Sequence, residues 1–472
     1  RPPRSTLFPY TTLFRSHYGE DWQKEAFLKP LVAGTWTGTM CLTEPHAGTD
    51  LGLLKTRAEP NADGSYAITG TKIFITAGEH DLSENIVHLV LAKLPDAPPG
   101  PKGISLFVTP KYKVGRDGTM GERNALRCGA LEHKMGIHGS STCVMNFDGA
   151  QGYLVGQPHK GLQAMFVMMN SARLGVGIQG LAQSERAYQG ALAYARERLQ
   201  SRAPKGPQLA DKPADPIIAQ PDVRRMLLSI KALTEGGRLL AAHAYTQLDA
   251  AQSAGDAQVR ADAETLVSFL TPIVKACLTE WSIESTYNAQ QCFGGHGYIA
   301  EHGMEQLARD ARITTLYEGT TGIQALDLIG RKTAMSQGAG LKLFLAEIEA
   351  FIAANAGNAA VAEFLPVLGA RAREWGQLTS AVLQRAAANP EELGAASWDY
   401  LFYSGYVALA YWWARAVAAA QESTHPQAFR QAKLETARFY YARILPRTLA
   451  HAASIESGAE PLMAMDAARF GE

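Results

Sequence analysis

The stretch QQCFGGHGYIAEHGMEQLARDARITTLYEGTTGIQ, residues 290–324, joins two segments with helical periodicity. Before it, apolar residues recur at helical spacing over 259–292, and its paired glycines are typical of a turn that ends a helix. At its end, Thr321 with Gln324 three residues later fits a capping box, which predicts a helix over 321–332. The stretch therefore predicts that this part of the chain is built from helices.

The same stretch holds an isolated carboxylate, Glu318, between an aromatic residue and a glycine. No lysine or arginine occurs between Arg312 and Arg331, so no neighbour in sequence neutralises this carboxylate. One interpretation is a solvated loop residue that merely precedes a helix. The other is a partly desolvated proton acceptor, because removal from water raises a carboxyl pKa above its usual value of about 4.3.

Helical periodicity extends to both sides of this stretch. Apolar residues step by three and four from about 160 to 199, and a further pattern covers 222–254 after a loop with five prolines, 203–221. Three or four helices with one apolar stripe each predict a bundle. Beyond Gly330 an alanine-rich helical pattern continues and predicts an added α domain.

The segment from about 36 to 152 has the pattern of β-structure instead. Tyr66 and Ile68 alternate with polar neighbours, and NADG at 61–64 is a turn signal between strands. VHLVLAKL and GISLFVTP predict further strands, and long helical patterns are absent from the segment. An antiparallel barrel or sandwich is the expected architecture.

The N-terminal segment combines an unusual repeat with a short helical pattern. Residues 1–16, RPPRSTLFPYTTLFRS, nearly repeat themselves and resemble a translated cloning adaptor, so we expect a non-native tail there. EDWQKEAFLKPL then predicts a short helix within 17–35 that ends at Pro30, since proline lacks the backbone N–H of a helix interior.

Composition narrows the range of functions. A chain of 472 residues is long enough for about two to four domains. The formal net charge is zero, which gives no support to nucleic acid or an anionic membrane surface as a partner. Five scattered cysteines without a CxxC pair are typical of reduced side chains in a cytoplasmic protein, and no metal-ligand spacing is present. The most apolar run, 400–413, is shorter than the roughly 20 residues of a membrane span and predicts a buried helix.

The segment GVGIQG at 175–180 matches the pattern of a dinucleotide-binding loop. Such a loop follows a strand, whereas MFVMMNSARL before this segment has helical periodicity. We therefore interpret these glycines as sites of close helix–helix contact within the bundle.

Five segments occur in an informative order along the chain. They are CLTEPHAGTD (41–50), TKIFITAG (71–78), ARLGVGIQGLAQ (172–183), QQCFGGHGYIAEHGMEQLARDARI (290–313) and LYEGTTGIQ (316–324). Together they closely resemble the acyl-CoA dehydrogenase flavoprotein family, over roughly 36–332. The part beyond 335 resembles an extended subgroup with an additional C-terminal helical domain, which includes 3-methylmercaptopropionyl-CoA and broad-range fatty acyl-CoA dehydrogenases.

The resemblance implies an α+β multidomain fold. Its expected parts are an adaptor-like tail (1–16), a remnant of an N-terminal α domain (17–35), a central antiparallel β barrel (36–152), a four-helix bundle (153–335) and a C-terminal helical extension (336–472).

The resemblance also implies FAD as cofactor and α,β-dehydrogenation of an acyl-CoA thioester to the trans-2-enoyl-CoA. The family's catalytic base falls on Glu318, which would take the α proton while a hydride leaves the β carbon for flavin N5. Some branches carry the base immediately before a substrate-binding arginine instead. That position is Ala172 here, and alanine cannot accept a proton, so Glu318 is the base that the resemblance implies.

Further site residues follow from the resemblance. The cofactor-binding positions are Leu42, Thr43, Gly48, Thr49, Phe74, Thr76, Gln291, Gly294, Gly295 and Thr320. Arg173 and Tyr317 match acyl-CoA contacts, but Arg173 is also a candidate for a salt bridge within the bundle, with Asp310 as a possible partner. Phe74 has a second interpretation as an ordinary core aromatic of the barrel.

The expected partners are an acyl-CoA substrate, an electron-transfer flavoprotein as electron acceptor and a second copy of the chain in a homodimer. Three alternatives stay open. The first is an acyl-CoA oxidase that passes electrons to oxygen. The others are a non-catalytic family relative, such as an alkylation-response flavoprotein that associates with nucleic acid, and an inactive fragment that lacks most of the first α domain.

Overall fold

The computed structural model of the protein describes residues 18–471. Within them the chain forms two compact units, with the division after Ala172. The first unit is mainly β-structure and the second is helical, which confirms an α+β multidomain protein. The expected tail, residues 1–16, lies outside the described residues, and the domain boundaries given above stay predictions.

A short helical segment opens the described part of the first unit. It consists of α1 (Asp21–Gln23), a π-helical turn (Lys24–Leu28) and α2 (Lys29–Ala33). The predicted end at Pro30 is wrong, because this proline lies in the first turn of α2, a position that tolerates a missing N–H. Gly34, with a left-handed φ of 77°, ends the helix instead.

The rest of the first unit is built from strands. They are β1 (Trp36–Cys41), β2 (Arg57–Pro60), β3 (Tyr66–Thr76), β4 (Asn85–Lys93), β5 (Ile104–Pro110), β6 (Tyr112–Val114), β7 (Met120–Arg123), β8 (Leu126–Leu131) and β9 (Thr142–Leu154). β6 and β7 form a separate two-stranded sheet.

The other seven strands belong to one sheet whose pairings return to their starting point. β4 pairs with β5, β5 with β9, β9 with β3, and β3 with β2, all antiparallel. One parallel residue pair, Arg57 with Lys93, joins β2 back to β4 and completes the circuit. β1 is added to β4 in parallel, and β8 pairs with β9. Each strand of the circuit therefore has a partner on both sides.

The turn signal NADG is confirmed as the hairpin between β2 and β3. The Asn61 N–H donates to the Ser65 carbonyl at 2.8 Å, and Gly64 has a φ of 81°. The Asp63 carboxylate accepts from the N–H and the hydroxyl of Ser65, at 2.9 and 2.6 Å. These bonds set the register in which Pro60 lies opposite Tyr66.

Both faces of β4 and β5 are buried. On one face Val90 and Phe107 belong to a cluster within the sheet circuit. On the other face Leu89 and Leu106 pack in a second cluster with Met165 of helix α3 (Gly161–Glu197). Burial on both faces explains why these two strands are continuous apolar runs instead of alternating ones.

Long helices make up the second unit. After α3, whose course crosses the division, come α4 (Pro221–Ser253), α5 (Ala257–Cys292), α6 (Met304–Arg312), α7 (Thr321–Leu326) and a π-helical segment (Asp327–Ala334). The C-terminal part contains α8 (Ala339–Ala354), α9 (Leu365–Ala388), α10 (Glu391–Glu422), α11 (Gln427–Phe439), α12 (Arg447–Glu456) and α13 (Glu460–Met463). The helices expected over 222–254, 259–292 and the alanine-rich end of the chain are confirmed.

GVGIQG lies inside α3, as its helical periodicity predicts. A Cβ atom at Gly177 would lie 2.9 Å from the Val274 carbonyl oxygen, and one at Gly180 would lie 2.7 Å from the Leu278 carbonyl oxygen. Gly177 and Gly180 therefore let α3 approach the backbone of α5, which confirms their interpretation as helix-contact sites. Gly175 is exposed and makes no such contact with the described residues.

The apolar run 400–413 is buried within α10, where the Trp413 indole donates to the Ala232 carbonyl of α4 at 3.0 Å. One described helix, α5, is long and apolar enough to cross a membrane by length and composition alone. The protein itself buries 83% of the apolar window of α5, which makes this a weak indication.

Candidate active site

Glu318 lies in a tight turn between a 3-10 turn (Ile313–Thr315) and α7. Its backbone is left-handed, with a φ of 58°, and Gly319 after it has a φ of 89°. A left-handed conformation costs a residue with a side chain about 1–2 kcal/mol, so the surrounding structure must hold it.

The helix that follows begins differently from the sequence prediction. Thr320 is the N-cap, and its hydroxyl accepts the Ile323 N–H at 3.3 Å. The expected capping box of Thr321 with Gln324 is wrong, because the N-cap is one residue earlier. Thr321 is already helical, and its hydroxyl donates to Glu280 at 2.5 Å. The Gln324 side chain turns back to the Glu318 carbonyl instead, at 3.1 Å.

Side chains from three helices hold the carbonyls of this turn. Arg173 Nε of α3 donates to the Glu318 carbonyl at 3.2 Å, beside the bond from Gln324 of α7. Lys275 Nζ of α5 donates to the Gly319 carbonyl at 2.7 Å. Lys275 is a site residue that the sequence prediction missed, because a lone lysine on an apolar helix gives no signal of its partner.

Burial and nearby charges shift the pKa of Glu318 in opposite directions. Burial raises the pKa of Glu318, and the positive charges of Arg173 and Lys275 partly counteract that rise. Burial also lowers the pKa of Lys275 to about 8, although Glu318 favours its charged form. The solvated-loop interpretation of Glu318 is therefore disfavoured, and a carboxylate with a raised pKa is suited to accept a proton.

Arg173 is buried and forms an ion pair with Asp327 at 3.4 Å. Burial lowers its pKa, against the favourable charges of Asp327 and Glu318. A salt bridge within the second unit is thus present, and Asp327 is a partner that the sequence prediction did not name. The same guanidinium reaches the Glu318 carbonyl, so the ion pair and the contact with the turn coexist.

The hydroxyl of Tyr317 donates to the Gln179 side-chain carbonyl of α3. Burial raises the pKa of Tyr317 to about 12, so the phenol stays protonated. Gln179 was not singled out from the sequence, since it lies among the helix-contact glycines of α3.

In the first unit, Leu42 and Thr43 directly follow β1, and Phe74 and Thr76 lie at the end of β3. The Ile73 N–H donates to the Thr43 carbonyl at 2.9 Å, which brings the two segments together. A register shift between Lys72 and Ile75 accompanies a left-handed φ of 61° at Phe74. Phe74 is 59% exposed, so its interpretation as a core aromatic is wrong.

A buried ion pair involves Lys72, two residues before Phe74 in β3. Lys72 Nζ donates to Glu44 at 2.8 Å and to the Leu42 carbonyl at 3.0 Å. Glu44 also accepts from the N–H groups of Lys55 and Thr56, at 2.7 and 3.0 Å. The sequence prediction missed this pair, because Lys72 takes a buried position in a strand where a polar residue would ordinarily face solvent.

The remaining expected cofactor residues are exposed. Gly48 and Thr49 lie in the loop after β1, and Gln291, Gly294 and Gly295 lie at the end of α5 and just beyond it. Gly294 has a left-handed φ of 58°. In the described part of the chain, no atom beyond the adjacent residues lies within 4 Å of a Cβ built on Gly294, Gly295 or Gly48. A flat or charged ligand could therefore approach the backbone at these glycines.

Comparison with known proteins places the chain among flavoenzymes. The family model "Acyl-CoA dehydrogenase, middle domain" matches 39–150, "Acyl-CoA dehydrogenase, C-terminal domain" matches 159–333, and "Acetyl-CoA dehydrogenase C-terminal like" matches 344–466. The chain is 45% identical to 3-methylmercaptopropionyl-CoA dehydrogenase of Ruegeria pomeroyi, over 94% of this chain and 76% of that protein. It is 38% identical to a butyryl-CoA dehydrogenase of Syntrophomonas wolfei, over 91% of this chain and 72% of the relative.

The fold of the chain is also similar to that of a solved structure. An acyl-CoA dehydrogenase of Bacillus anthracis, complexed with FAD, is similar with a TM-score of 0.75 at 20% identity, over 93% of this chain and 71% of that one. The chain belongs to the acyl-CoA dehydrogenase family and carries a C-terminal extension.

Proposed function

We propose that this chain catalyses the FAD-dependent α,β-dehydrogenation of an acyl-CoA thioester to the trans-2-enoyl-CoA, with Glu318 as the base. Family membership supports the reaction class, since relatives are named as dehydrogenases of 3-methylmercaptopropionyl-CoA and butyryl-CoA. The observation that carries the assignment of the base is the placement of Glu318. Its carboxylate has a raised pKa in a turn whose backbone is tied down by buried cations.

The residues present fit a flavin. In the first unit, the exposed Phe74 ring offers a flat apolar surface. The hydroxyl of Thr76 lies on the same strand, and the backbone of Leu42 and Thr43 lies on the neighbouring segment. An aromatic face beside hydrogen-bonding groups suits an isoalloxazine ring. In the second unit, the open backbone at Gly294 and its neighbours suits the approach of a phosphate or an adenine.

When bound, FAD would supply the two-electron acceptor for the hydride that leaves the β carbon. The protein's own contribution begins with Glu318, whose carboxylate accepts the α proton of the thioester. Burial makes that carboxylate more basic than a solvated one, and a positioned base of this kind contributes roughly 10²- to 10⁴-fold to the rate. Arg173 and Gln324 hold the Glu318 carbonyl, so the carboxylate keeps a constant position relative to bound substrate. Tyr317, fixed by Gln179, is proposed as an acyl-CoA contact.

The finer architecture belongs to the same proposal. The circuit of paired strands supports a β barrel in the first unit, because each of its strands has a partner on both sides. The long helices α3, α4 and α5 support a helical bundle in the second. We further infer that a second copy of the chain completes the cofactor site, since Gln291, Gly294 and Gly295 are exposed with open space beside the glycines. Sedimentation of the holoenzyme tests this inference, and a monomer would contradict it.

The test of the reaction is the visible spectrum of the purified protein before and after anaerobic addition of butyryl-CoA. A yellow protein whose flavin absorbance bleaches supports the proposal. Glu318→Gln should bind FAD equally and bleach about 10²- to 10⁴-fold more slowly. The matched control is Glu301→Gln, which changes an exposed carboxylate of the same unit and should bleach like the wild type. A wild type that is colourless, or that does not bleach, would contradict the proposal.

The electron acceptor is proposed to be an electron-transfer flavoprotein, because the matched relatives are named as dehydrogenases. Turnover with an electron-transfer flavoprotein, without hydrogen peroxide in air, would support this acceptor. Stoichiometric peroxide would instead favour an acyl-CoA oxidase.

A further inference from the structure

Lys275 is a fully buried cation in the middle of α5, with 0% of the residue exposed. Lysine is almost never fully buried unless it is paired with an acid. Among residues 18–471, no carboxylate oxygen lies within ion-pair distance of its ammonium, whose hydrogen bond goes to the Gly319 carbonyl at 2.7 Å. The folded protein therefore holds the buried ammonium of Lys275 with one backbone acceptor, and this acceptor lies in the turn that carries Glu318.

The Gly319 carbonyl has weaker hydrogen bonding from other donors than the neighbouring Glu318 carbonyl has. The Glu318 carbonyl receives bonds from both Arg173 and Gln324, at 3.2 and 3.1 Å. Among the described residues, the Gly319 carbonyl has only a long contact of 3.5 Å from Gln324 besides the bond from Lys275. Because both residues of the turn are left-handed, a loosened carbonyl would let the backbone relax and shift the carboxylate.

The charge of Lys275 acts on the carboxylate as well. Burial alone favours the neutral acid, in which Glu318 cannot accept a proton, and a nearby cation favours the charged base. The charged and titratable groups around the turn are, by element, Arg173 of α3, Lys275 and Glu280 of α5, Tyr317 and Glu318 of the turn, and Asp327 and Arg331 after it. Arg173 already shares its charge with Asp327, so Lys275 is the cation of this group without a carboxylate at ion-pair distance.

We propose that Lys275 is a positioning residue for the Glu318 base: its ammonium fixes the Gly319 carbonyl and keeps the carboxylate in the charged, proton-accepting form. This inference rests on the proposed function of Glu318 and deepens it. A neutral side chain of similar length, Lys275→Gln, can still donate to the carbonyl but lacks the charge. Lys275→Arg keeps both the donor and the charge.

The experiment follows the protonation of Glu318 directly, without turnover. Infrared spectra of the substrate-free holoenzyme are recorded against pH, and the carboxylic-acid band that disappears in Glu318→Gln is assigned to Glu318. In Lys275→Gln the midpoint of this band should rise by about 1 pH unit, and the acidic limb of kcat/KM for butyryl-CoA should rise with it. Lys275→Arg should restore both midpoints to the wild-type values.

Lys332→Gln is the matched control. Lys332 is a half-buried lysine of the second unit and, like Lys275, has one short hydrogen bond, 2.7 Å to Ser268. Its charge interactions are with Asp327, Arg173 and Arg331, and not with Glu318. Neither midpoint should move in this variant.

An unshifted band in Lys275→Gln, with activity reduced equally at every pH, would overturn the inference and leave Lys275 a purely structural support. The two proposals fail separately: a band that shifts in an enzyme without dehydrogenase activity supports Lys275 and contradicts the proposed function. If Lys275→Gln does not fold, the reciprocal measurement decides. Glu318→Gln should then lower the pKa of Lys275, followed by carbon-13 NMR of its ε-methylene, by about 1 unit from its value of about 8. An unchanged value would overturn the inference.

Discussion

Replacing Glu44 by glutamine leaves Lys72 as a buried cation without its carboxylate. The side chains are 2% and 0% exposed, and Lys72 Nζ lies 2.8 Å from the Glu44 carboxylate. Burial lowers the pKa of Lys72, and Glu44 is the main group that favours its charged form. In the variant the ammonium retains the Leu42 carbonyl, at 3.0 Å, as an acceptor. We therefore expect the first unit to lose much of its stability.

Two estimates bound the loss. The attraction between unit charges 2.8 Å apart is about 6 kcal/mol at an effective dielectric constant of about 20. Lys72 can instead release its proton, and at pH 7 this costs about 5 kcal/mol for a group whose ordinary pKa is 10.5, at about 1.4 kcal/mol per unit. The cheaper route limits the effect, so we expect a loss of about 3–5 kcal/mol, as is usual for a broken buried pair.

Thiol labelling in urea measures the unfolding of this unit. Cys41 at the end of β1 is completely buried, so it reacts only when its surroundings open. Mass spectrometry of the labelled peptides separates Cys41 from the cysteines of the second unit, Cys277 and Cys292. The free energy of unfolding follows from the midpoint and the slope with urea.

A loss below about 1 kcal/mol in Glu44→Gln would refute the reasoning. The double variant Glu44→Gln/Lys72→Met should recover most of the loss, because it leaves no unpaired charge. Glu122→Gln, which breaks an exposed ion pair with Lys113 in the same unit, should not change stability measurably. The deficit of Glu44→Gln should also shrink between pH 7 and 9, since a neutral Lys72 binds fewer protons in the folded state than in the unfolded state.

Three further outcomes are expected. Gly180→Ala should lower the free energy of unfolding in urea by about 1–3 kcal/mol, because its Cβ would lie 2.7 Å from the Leu278 carbonyl oxygen. Gly175→Ala, where a Cβ has open space, should be neutral or stabilising. Equal effects of the two variants would contradict the helix-contact argument. Asp215 accepts three N–H groups of the proline-rich loop at 2.8–2.9 Å, so Asp215→Asn should speed tryptic cleavage within 203–214 several-fold, and unchanged cleavage would count against this role. Burial lowers the pKa of His88 to about 3 from an ordinary 6.5. Below about pH 6.5 the unfolded state therefore binds a proton that the folded state does not, and the free energy of unfolding falls by up to about 1.4 kcal/mol per pH unit. The non-titrating variant His88→Asn should lack this part of the pH dependence.

The sequence predicts some parts of the candidate site well and others not at all. The isolation of Glu318 from basic residues is visible along the chain, and the helix start after it is predicted within one residue. The sequence names Arg173 as a site residue but does not show that it, or Lys275, contacts the Glu318 turn, because both come from distant helices that only folding brings there. The exposure of Phe74 is equally hidden, since it depends on a register shift between β3 and β9.

The sequence by itself determined the family, the change from β-structure to helices and the identity of the isolated carboxylate, because these are properties of order, periodicity and local composition. The tertiary structure decided the environment of that carboxylate: which cations face Glu318, which backbone carbonyls are held and how far its pKa rises. It also decided that Lys72 and Glu44 are buried together, whereas Phe74 is exposed. Charge interactions and desolvation depend on distance and burial in space, and residues far apart in the chain acquire both only when they pack against one another.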